Sequence, residues 1–240
     1  MKRPLAKIIP LLMRGMAPGA AVASGLLSPL ALGASGDLDP AFADVGRLGP
    51  ITNLDGPAWS VQSLDGDEIL FAGGNLEVTC VDYCYYNEAY LDATNFLGLL
   101  TDTGSPDLNF AAAELAHTQV FDVALQPDGK VVAVGHTIIE NRPTLTVFRL
   151  TREGALDSTF GDGGIFRLPA SQGTEHKGTS VVLDPDGRIV VAGPRTDNTT
   201  GGELIVLRLL ENGVLDDSFG TSGILAGPSS AFLDSAIHIL

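Results

Sequence analysis

Leu125-Gln-Pro-Asp-Gly-Lys-Val-Val-Ala-Val-Gly135 is followed by Gly154-Ala-Leu-Asp-Ser-Thr-Phe-Gly-Asp-Gly-Gly-Ile165. Both return, as Leu183-Asp-Pro-Asp-Gly-Arg-Ile-Val-Val-Ala-Gly193 and Gly213-Val-Leu-Asp-Asp-Ser-Phe-Gly-Thr-Ser-Gly-Ile224. Gly129 and Gly187 stand 58 residues apart, and Phe160 and Phe219 stand 59 apart, so the register holds through a whole unit. Self-similarity at a fixed period marks propellers, solenoids and arrays, in which neighbouring modules bury one another's apolar faces. A worn earlier copy appears in Asp65-Gly66, Ile69-Leu-Phe-Ala-Gly73 and Gly104-Ser-Pro-Asp-Leu-Asn-Phe110, and a fragment in Gly36-Asp-Leu-Asp-Pro-Ala-Phe42.

Each unit reads as strands. Phe121 to Leu125 and Lys130 to Val134 flank Gln-Pro-Asp-Gly, where Pro presets a negative φ, Asp bonds the local backbone and Gly129 supplies the positive φ that closes a hairpin. Gly187 holds the same place in the next unit. Val131-Val-Ala-Val and Ile189-Val-Val-Ala are apolar on both faces, as expected of a sheet held between neighbours. A variable hairpin leads to a third strand, Leu145 to Leu150 or Leu204 to Leu209, and a short fourth is expected at Gly164 to Leu168 and Gly223 to Ala226. About four strands per unit is the count of a propeller blade. The expected fold is all-β: a β-propeller-like array of about three four-stranded blades plus a partial blade, an incomplete ring. Its units run roughly over 45–110, 111–160, 161–219 and, in part, 220–240.

These residues resemble the delta-60 repeat family, whose units have the form A-L-Q-P-D-G-K-I-V-V-A-G, then a strand ending in Arg, then G-x-L-D-x-x-F-G-x-G-G. Val123 to Gly135 and Gly154 to Gly164 match most closely, and the resemblance extends over roughly residues 36 to 240. The first unit departs from it, with Leu99 where Arg149 and Arg208 stand in the others. The resemblance implies a bacterial, often exported, propeller-like protein and no particular catalytic activity.

Closed propellers carry about four to eight blades, more than this chain supplies. Ser235-Ala-Ile-His-Ile-Leu240 corresponds to the opening strand of a further unit, Val120 to Leu125. Three arrangements are compatible with this: a reading frame continuing into more blades, a ring completed by self-association with another copy, or an open array.

Residues 1–36 are of another kind. Lys2, Arg3, Lys7 and Arg14 carry all their charge, no charged residue falls between Gly15 and Gly36, and Ala31-Leu-Gly33 suits a signal peptidase. A signal peptide and export to the periplasm, cell surface or medium are expected. Arg14, Pro18 and Pro29 interrupt the apolar run, so an uncleaved N-terminal anchor is the alternative route to a membrane. Without this leader Lys plus Arg falls from 14 to 10 against 29 acidic residues, a net of −19. That charge repels phosphate backbones and argues against a nucleic-acid partner. It serves solubility; attraction of divalent cations by clustered carboxylates is the sharper alternative.

Between Gly74 and Asn95 the hairpin loop is far longer than its counterparts, and it gathers every tyrosine, Tyr83, Tyr85, Tyr86 and Tyr90, with both cysteines, Cys80 and Cys84. Variable loops on a rigid scaffold are where binding concentrates, and tyrosines offer flat apolar faces with a polar tip to a protein or carbohydrate ligand. The bland alternative is that these rings pack the loop onto its own blade. In an oxidising compartment Cys80 and Cys84 are candidates for a local disulfide. A zinc site would need two further ligands, and no His lies near in sequence; the C-x3-C spacing also differs from a C-x-x-C redox pair.

Asp39, Asp107, Asp157 and Asp216 each precede Phe by three residues (Phe42, Phe110, Phe160, Phe219), so one local task recurs, expected to be a carboxylate tying down N–H groups of its turn. Arg149 and Arg208 recur at a matching offset and are expected to pair with these aspartates. Asp65-Gly-Asp67-Glu68 lacks the spacing of a calcium loop, and no metal or cofactor is expected. His117, His136, His176 and His238 fall at unrelated repeat positions, and neither a nucleophile elbow nor a phosphate-cradling glycine loop is present. The expected function is a non-enzymatic exported scaffold or binding module, part of a larger surface protein; the alternative is a propeller enzyme, a hydrolase or lyase, whose site needs additional blades or a partner.

Overall fold

The computed structural model describes residues 58–64, 67–80, 89–110, 115–169, 174–197 and 201–227. The chain divides into two units, Met1–Thr52 and Asn53–Leu240, and every described residue lies in the second. The expected leader, 1–36, lies outside the described residues, as do 228–240.

The described residues are all-β, in three antiparallel sheets that follow one another along the chain. The first contains β1 (Ala58–Ser63), β2 (Ile69–Cys80) and β3 (Ala89–Leu100). The second contains β4 (Thr118–Leu125), β5 (Val131–Ile139), β6 (Arg142–Leu150) and β7 (Ile165–Arg167), in that order across the sheet. The third contains β8 (Thr174–His176) and β9 (Ser180–Leu183), which both pair with β10 (Ile189–Asp197), followed by β11 (Gly201–Leu209) and β12 (Ile224–Ala226). β8 and β9 are two pieces of one inner strand, so the third sheet is a four-stranded meander with its first strand split. Each is a propeller blade in outline, and the first shows three strands among the described residues. The last strand of each complete blade, β7 or β12, follows the Asp-x-x-Phe turn. Blades therefore end later than units closing at Phe160 and Phe219, and residues 224–226 belong to the third blade rather than to a partial fourth.

Local chemistry explains the meander. At Gln126-Pro-Asp-Gly129 the Gly129 N–H donates to the Gln126 carbonyl at 2.9 Å, and Gly129 has φ +84°. Asp184-Pro-Asp-Gly187 repeats this bond at 2.9 Å. Glu140 and Asn141, both at positive φ, make the two-residue turn between β5 and β6, whose twist suits a tight hairpin.

Alternating residues of the second blade face opposite neighbours. Val131, Ala133, Phe148 and Leu150 join Leu70, Ala72, Leu97 and Leu99 of the first blade in one core. Val132, Val134, Leu145 and Val147 join Ile189, Val191, Ile205, Leu207 and Leu209 of the third in another. The middle blade thus has no wet face, which is why its strands read as unbroken apolar runs. Among the described residues the blades pack in sequence order, first on second and second on third, and the three sheets do not close into a ring.

Candidate functional site

The recurring aspartates hold the turn after the third strand of each blade. The Asp157 N–H donates to the Arg149 carbonyl at 2.8 Å, while Asp157 Oδ1 accepts the Thr159 N–H at 3.0 Å and the Thr159 hydroxyl at 2.7 Å. Asp216 does the same with Ser218, accepting its N–H at 3.0 Å and its hydroxyl at 2.6 Å. Asp107 accepts the Asn109 N–H at 2.9 Å. These are side-chain-capped turns in three copies.

In two of the copies a guanidinium completes the assembly. Arg149 Nε donates to Asp157 Oδ2 at 2.8 Å and Nη2 to Thr159 at 2.9 Å, and the plane lies 4.9 Å over the Phe160 ring. Arg208 repeats the set with Asp216 at 2.8 Å, Ser218 at 3.0 Å and Phe219 at 4.8 Å. Lys130 adds a 3.3 Å ion pair to Asp157. Burial by itself would raise the Asp157 pKa, but the Thr159 donors and the Arg149 and Lys130 charges outweigh it and hold the carboxyl well below its ordinary range. In the first blade Leu99 replaces the arginine and packs into the core, leaving Asp107 with its turn alone.

The same cluster is also a joint between blades. Arg149 Nη1 donates to the Glu211 carbonyl, and the Gly161 N–H donates to the Asn212 carbonyl at 2.9 Å, both in the turn that follows β11. Gly213 of that turn sits against the Phe160 ring, which is fully buried.

A second line of contacts runs along the first strands. β1 and β4 each carry a bulge, at Trp59 and Phe121, and the gap between β8 and β9 stands at the corresponding Thr179. Opposite these irregularities lie Gly135 and Gly193. An ideal Cβ on either would lie 1.8 Å from a main-chain oxygen, of Gln119 or Lys177, so the repeat's final glycine is required by close backbone approach. Just beyond the bulge the three blades present Ser60, Asp122 and Ser180. Asp122 Oδ1 accepts the Ser60 hydroxyl at 2.7 Å and the Val123 N–H at 2.9 Å. Its Oδ2 accepts the Val181 N–H at 2.9 Å and the Ser180 hydroxyl at 3.3 Å. One carboxylate therefore clasps all three blades.

Aromatic rings accompany this line: Trp59 and Phe121 lie 5.8 Å apart, and Phe121 and His136 lie 5.6 Å apart. His136 is fully buried, and neither ring nitrogen has a hydrogen-bond partner among the described residues. Burial, helped by the Lys177 charge, pushes its pKa down to about 3, so the ring is neutral and serves as packing. His176 is shifted down for the same leading reason. Among the described residues no group of three His, Cys, Asp or Glu is placed to hold a metal ion, and no helix is long and apolar enough to cross a membrane.

The tyrosine-rich segment is less of a loop than its sequence suggests. β2 and β3 each run twelve residues in unbroken register from Ile69↔Leu100 to Cys80↔Ala89, whereas β5 and β10 have nine. Residues 74–80 and 89–95 are thus the flanks of a two-stranded arm. Three further residues at 3.3–3.4 Å each extend it by about 10 Å. Cys80 and Tyr90 lie on its strands; Tyr83, Tyr85, Tyr86 and Cys84 lie outside the described residues.

The chain matches the family described as "Domain of unknown function (DUF5122) beta-propeller" over residues 126–160 and 185–219. Both stretches run from the first hairpin turn through the arginine to the phenylalanine beneath it. No curated protein is similar to the chain. A crystal structure of a protein of unknown function from Dyadobacter fermentans DSM 18053 is similar to it at 12% identity, with a TM-score of 0.47, covering 64% of this chain and 47% of that one. The chain thus spans less than half of that relative's length. Fold and family match agree on an array of β-propeller blades.

Proposed function

We propose that this chain is an exported, non-enzymatic binding module in which the blades form a rigid base and the β2–β3 arm, with Tyr83, Tyr85, Tyr86 and Tyr90, meets the ligand. The observation that carries this reading is the arm itself. The recurring polar residues, Asp157 with Arg149 and Asp216 with Arg208, are engaged with one another in holding their turns. By contrast, the arm departs from the repeat, lengthening both strands in register at a cost the blades do not need. A feature that the fold does not require is where binding is sought first. Flat tyrosine rings suit sugar rings, and a strongly acidic body suits a neutral polysaccharide better than a phosphate polymer.

The test is a panel of neutral and charged polysaccharides offered to the full chain and to a variant whose arm is shortened at the Glu77↔Asp92 pair and closed with Asn-Gly. Binding by the full chain, lost in the shortened variant while the thermal melt is kept, is the expected result. Binding that survives removal of the arm overturns the assignment, and release of new reducing ends from any polysaccharide favours the hydrolase or lyase alternative. Export is tested separately, by sequencing the N-terminus of protein recovered outside the cytoplasm.

A further inference from the structure

We infer that the outer edge of the first blade is a docking site for a basic, extended peptide segment of a partner protein, which pairs antiparallel with β3 and stands as that blade's fourth strand. In the two complete blades the fourth strand begins five residues after the phenylalanine, from Phe160 to Ile165 and from Phe219 to Ile224. The same count from Phe110 reaches Leu115. Leu115 is buried in the core shared by the first two blades, residues 116 and 117 form a turn with His117 at φ +53°, and β4 starts at Thr118. The residues at the fourth-strand offset are thus committed elsewhere, and among the described residues β3 is the end of its sheet.

The other blades show what such an edge receives. β7 meets β6 at Phe148↔Ile165, Val147↔Phe166 and Thr146↔Arg167, and β12 meets β11 at Leu207↔Ile224, Val206↔Leu225 and Ile205↔Ala226. The Arg149 N–H donates to the Gly164 carbonyl at 2.9 Å and the Leu168 N–H to the Leu145 carbonyl at 3.0 Å, so alternate residues of β6 turn their main-chain groups toward the outer strand. By register Leu97 corresponds to Val147, Asn95 to Leu145 and Leu99 to Arg149. Leu99 already accepts the Asp107 N–H at 2.8 Å, as Arg149 accepts that of Asp157. Leu97 and Asn95 therefore aim their main-chain N–H and C=O groups at the place of the absent strand.

Proteins blunt exposed edges with very short strands, Lys, Pro or a bulge. β7 and β12 are three residues each. β3 runs twelve residues in unbroken register and contains no Lys, Pro or bulge, which makes it a template for strand addition. Charge identifies the partner. Between Arg47 and Lys130 the sequence has thirteen Asp or Glu and no Lys or Arg. The first blade takes its cation from outside, Glu68 pairing with Arg152 of the second blade at 2.8 Å, and the strand that fills the equivalent edge there carries Arg167. A basic segment meets a complementary potential at this blade, and an acidic one meets like charge. The site goes beyond the polysaccharide reading and does not rest on it, because Asn95 and Leu97 remain when the arm is shortened at Glu77↔Asp92.

The probe is a fluorescein-labelled synthetic peptide, Lys-Gly-Ile-Phe-Arg-Leu-Lys, copied from Gly164–Leu168 with a lysine at each end. It is compared with a version carrying Glu at its three basic positions and with one N-methylated at the Phe amide, the donor that faces Leu97 in the expected register. Fluorescence anisotropy with the full chain reads binding, and hydrogen–deuterium exchange reads the Leu97 amide. The basic peptide is expected to bind and to slow exchange at Leu97, while the acidic and N-methylated peptides bind at least about 10-fold more weakly. The arm-shortened variant binds the basic peptide as the full chain does, whatever becomes of its polysaccharide binding. A variant with Gly161–Leu168 repeated after Phe110 supplies the strand in cis and loses peptide binding; the N-methyl comparison decides the matter should that variant fail to fold. Absence of binding by the basic peptide, equal binding by all three, or binding that leaves Leu97 unprotected overturns the inference. A Leu97 amide already protected in the chain alone overturns it too, assigning the edge to the chain's own residues if dilution leaves the protection intact and to a second copy if dilution removes it.

Discussion

Replacing Arg149 with Met, which keeps the apolar stem and removes the guanidinium, separates the turn-holding task from the blade-joining one. The Arg149 side chain is 4% exposed and Asp157 is 8% exposed, so the substitution strands a carboxylate that is nearly out of water. Removing one partner of a buried pair typically costs about 3–5 kcal/mol. Asp157 keeps the Thr159 N–H and hydroxyl and the Lys130 ammonium, which places the cost at the lower end, about 3 kcal/mol. For a domain of this size that lowers Tm by roughly 10 °C. Arg208→Met is the internal control: the chemistry is the same, but the site is more exposed and has no cross-blade bond among the described residues. It should cost less than half as much. The assay is urea unfolding of the full chain followed by circular dichroism, with an Arg149→Met, Asp157→Asn double-mutant cycle for the coupling. Equal losses at the two arginines would refute the joint; a cycle showing no coupling would refute the pair.

Substitutions at four other positions probe the remaining contacts. His136→Leu should flatten the acid side of the stability profile. The neutral buried ring has a folded pKa of about 3 against about 6.5 unfolded, so below that higher value the unfolded state takes up a proton that the folded state refuses. Its stabilising effect is therefore full above that range and is lost on acidification at up to about 1.4 kcal/mol per pH unit, measurable as the slope of unfolding free energy between pH 6 and about 4. Gly135→Ala should cost more than about 3 kcal/mol, because its Cβ would fall on the Gln119 carbonyl, while Gly163→Ala, at φ +60° with open space around it, should cost about 1 kcal/mol. Asp122→Ala should cost about 2 kcal/mol by freeing donors on three blades at once, and Asp122→Asn less; equal midpoints for wild type and Asp122→Ala in denaturant would remove the clasp from the account.

The repeat made the blades legible because apolar runs and Pro-Asp-Gly turns are local signals whose spacing survives in the sequence. The Asp157 and Asp216 turns were legible for the same reason, and their offset from Arg149 and Arg208 pointed to a pair. Asp122 was not, since its repeat position holds Ser60 and Ser180 in the neighbouring blades; what is shared there is a hydrogen-bonding direction, not a residue type. The glycine ending each Val-Val-Ala run was visible as a landmark, but its reason lies in the strand opposite, at a bulge that leaves no mark of its own. The arm read as a loop because Gly74 and Asn95 punctuate it, yet cross-strand pairing carries β2 and β3 through both. The blade boundary was displaced because the fourth strand follows the most eye-catching motif rather than preceding it.

The covering of the middle blade on both sides fixes an order of events as well as a structure. Among the described residues each sheet packs mainly on the sheet before or after it along the chain, so opening is expected to begin at the outer sheets and travel inward. Amides of β5 should be the last to exchange with deuterium, and those of β12 among the first. Pulled or warmed, such a chain comes apart like a stack of cards taken from its ends.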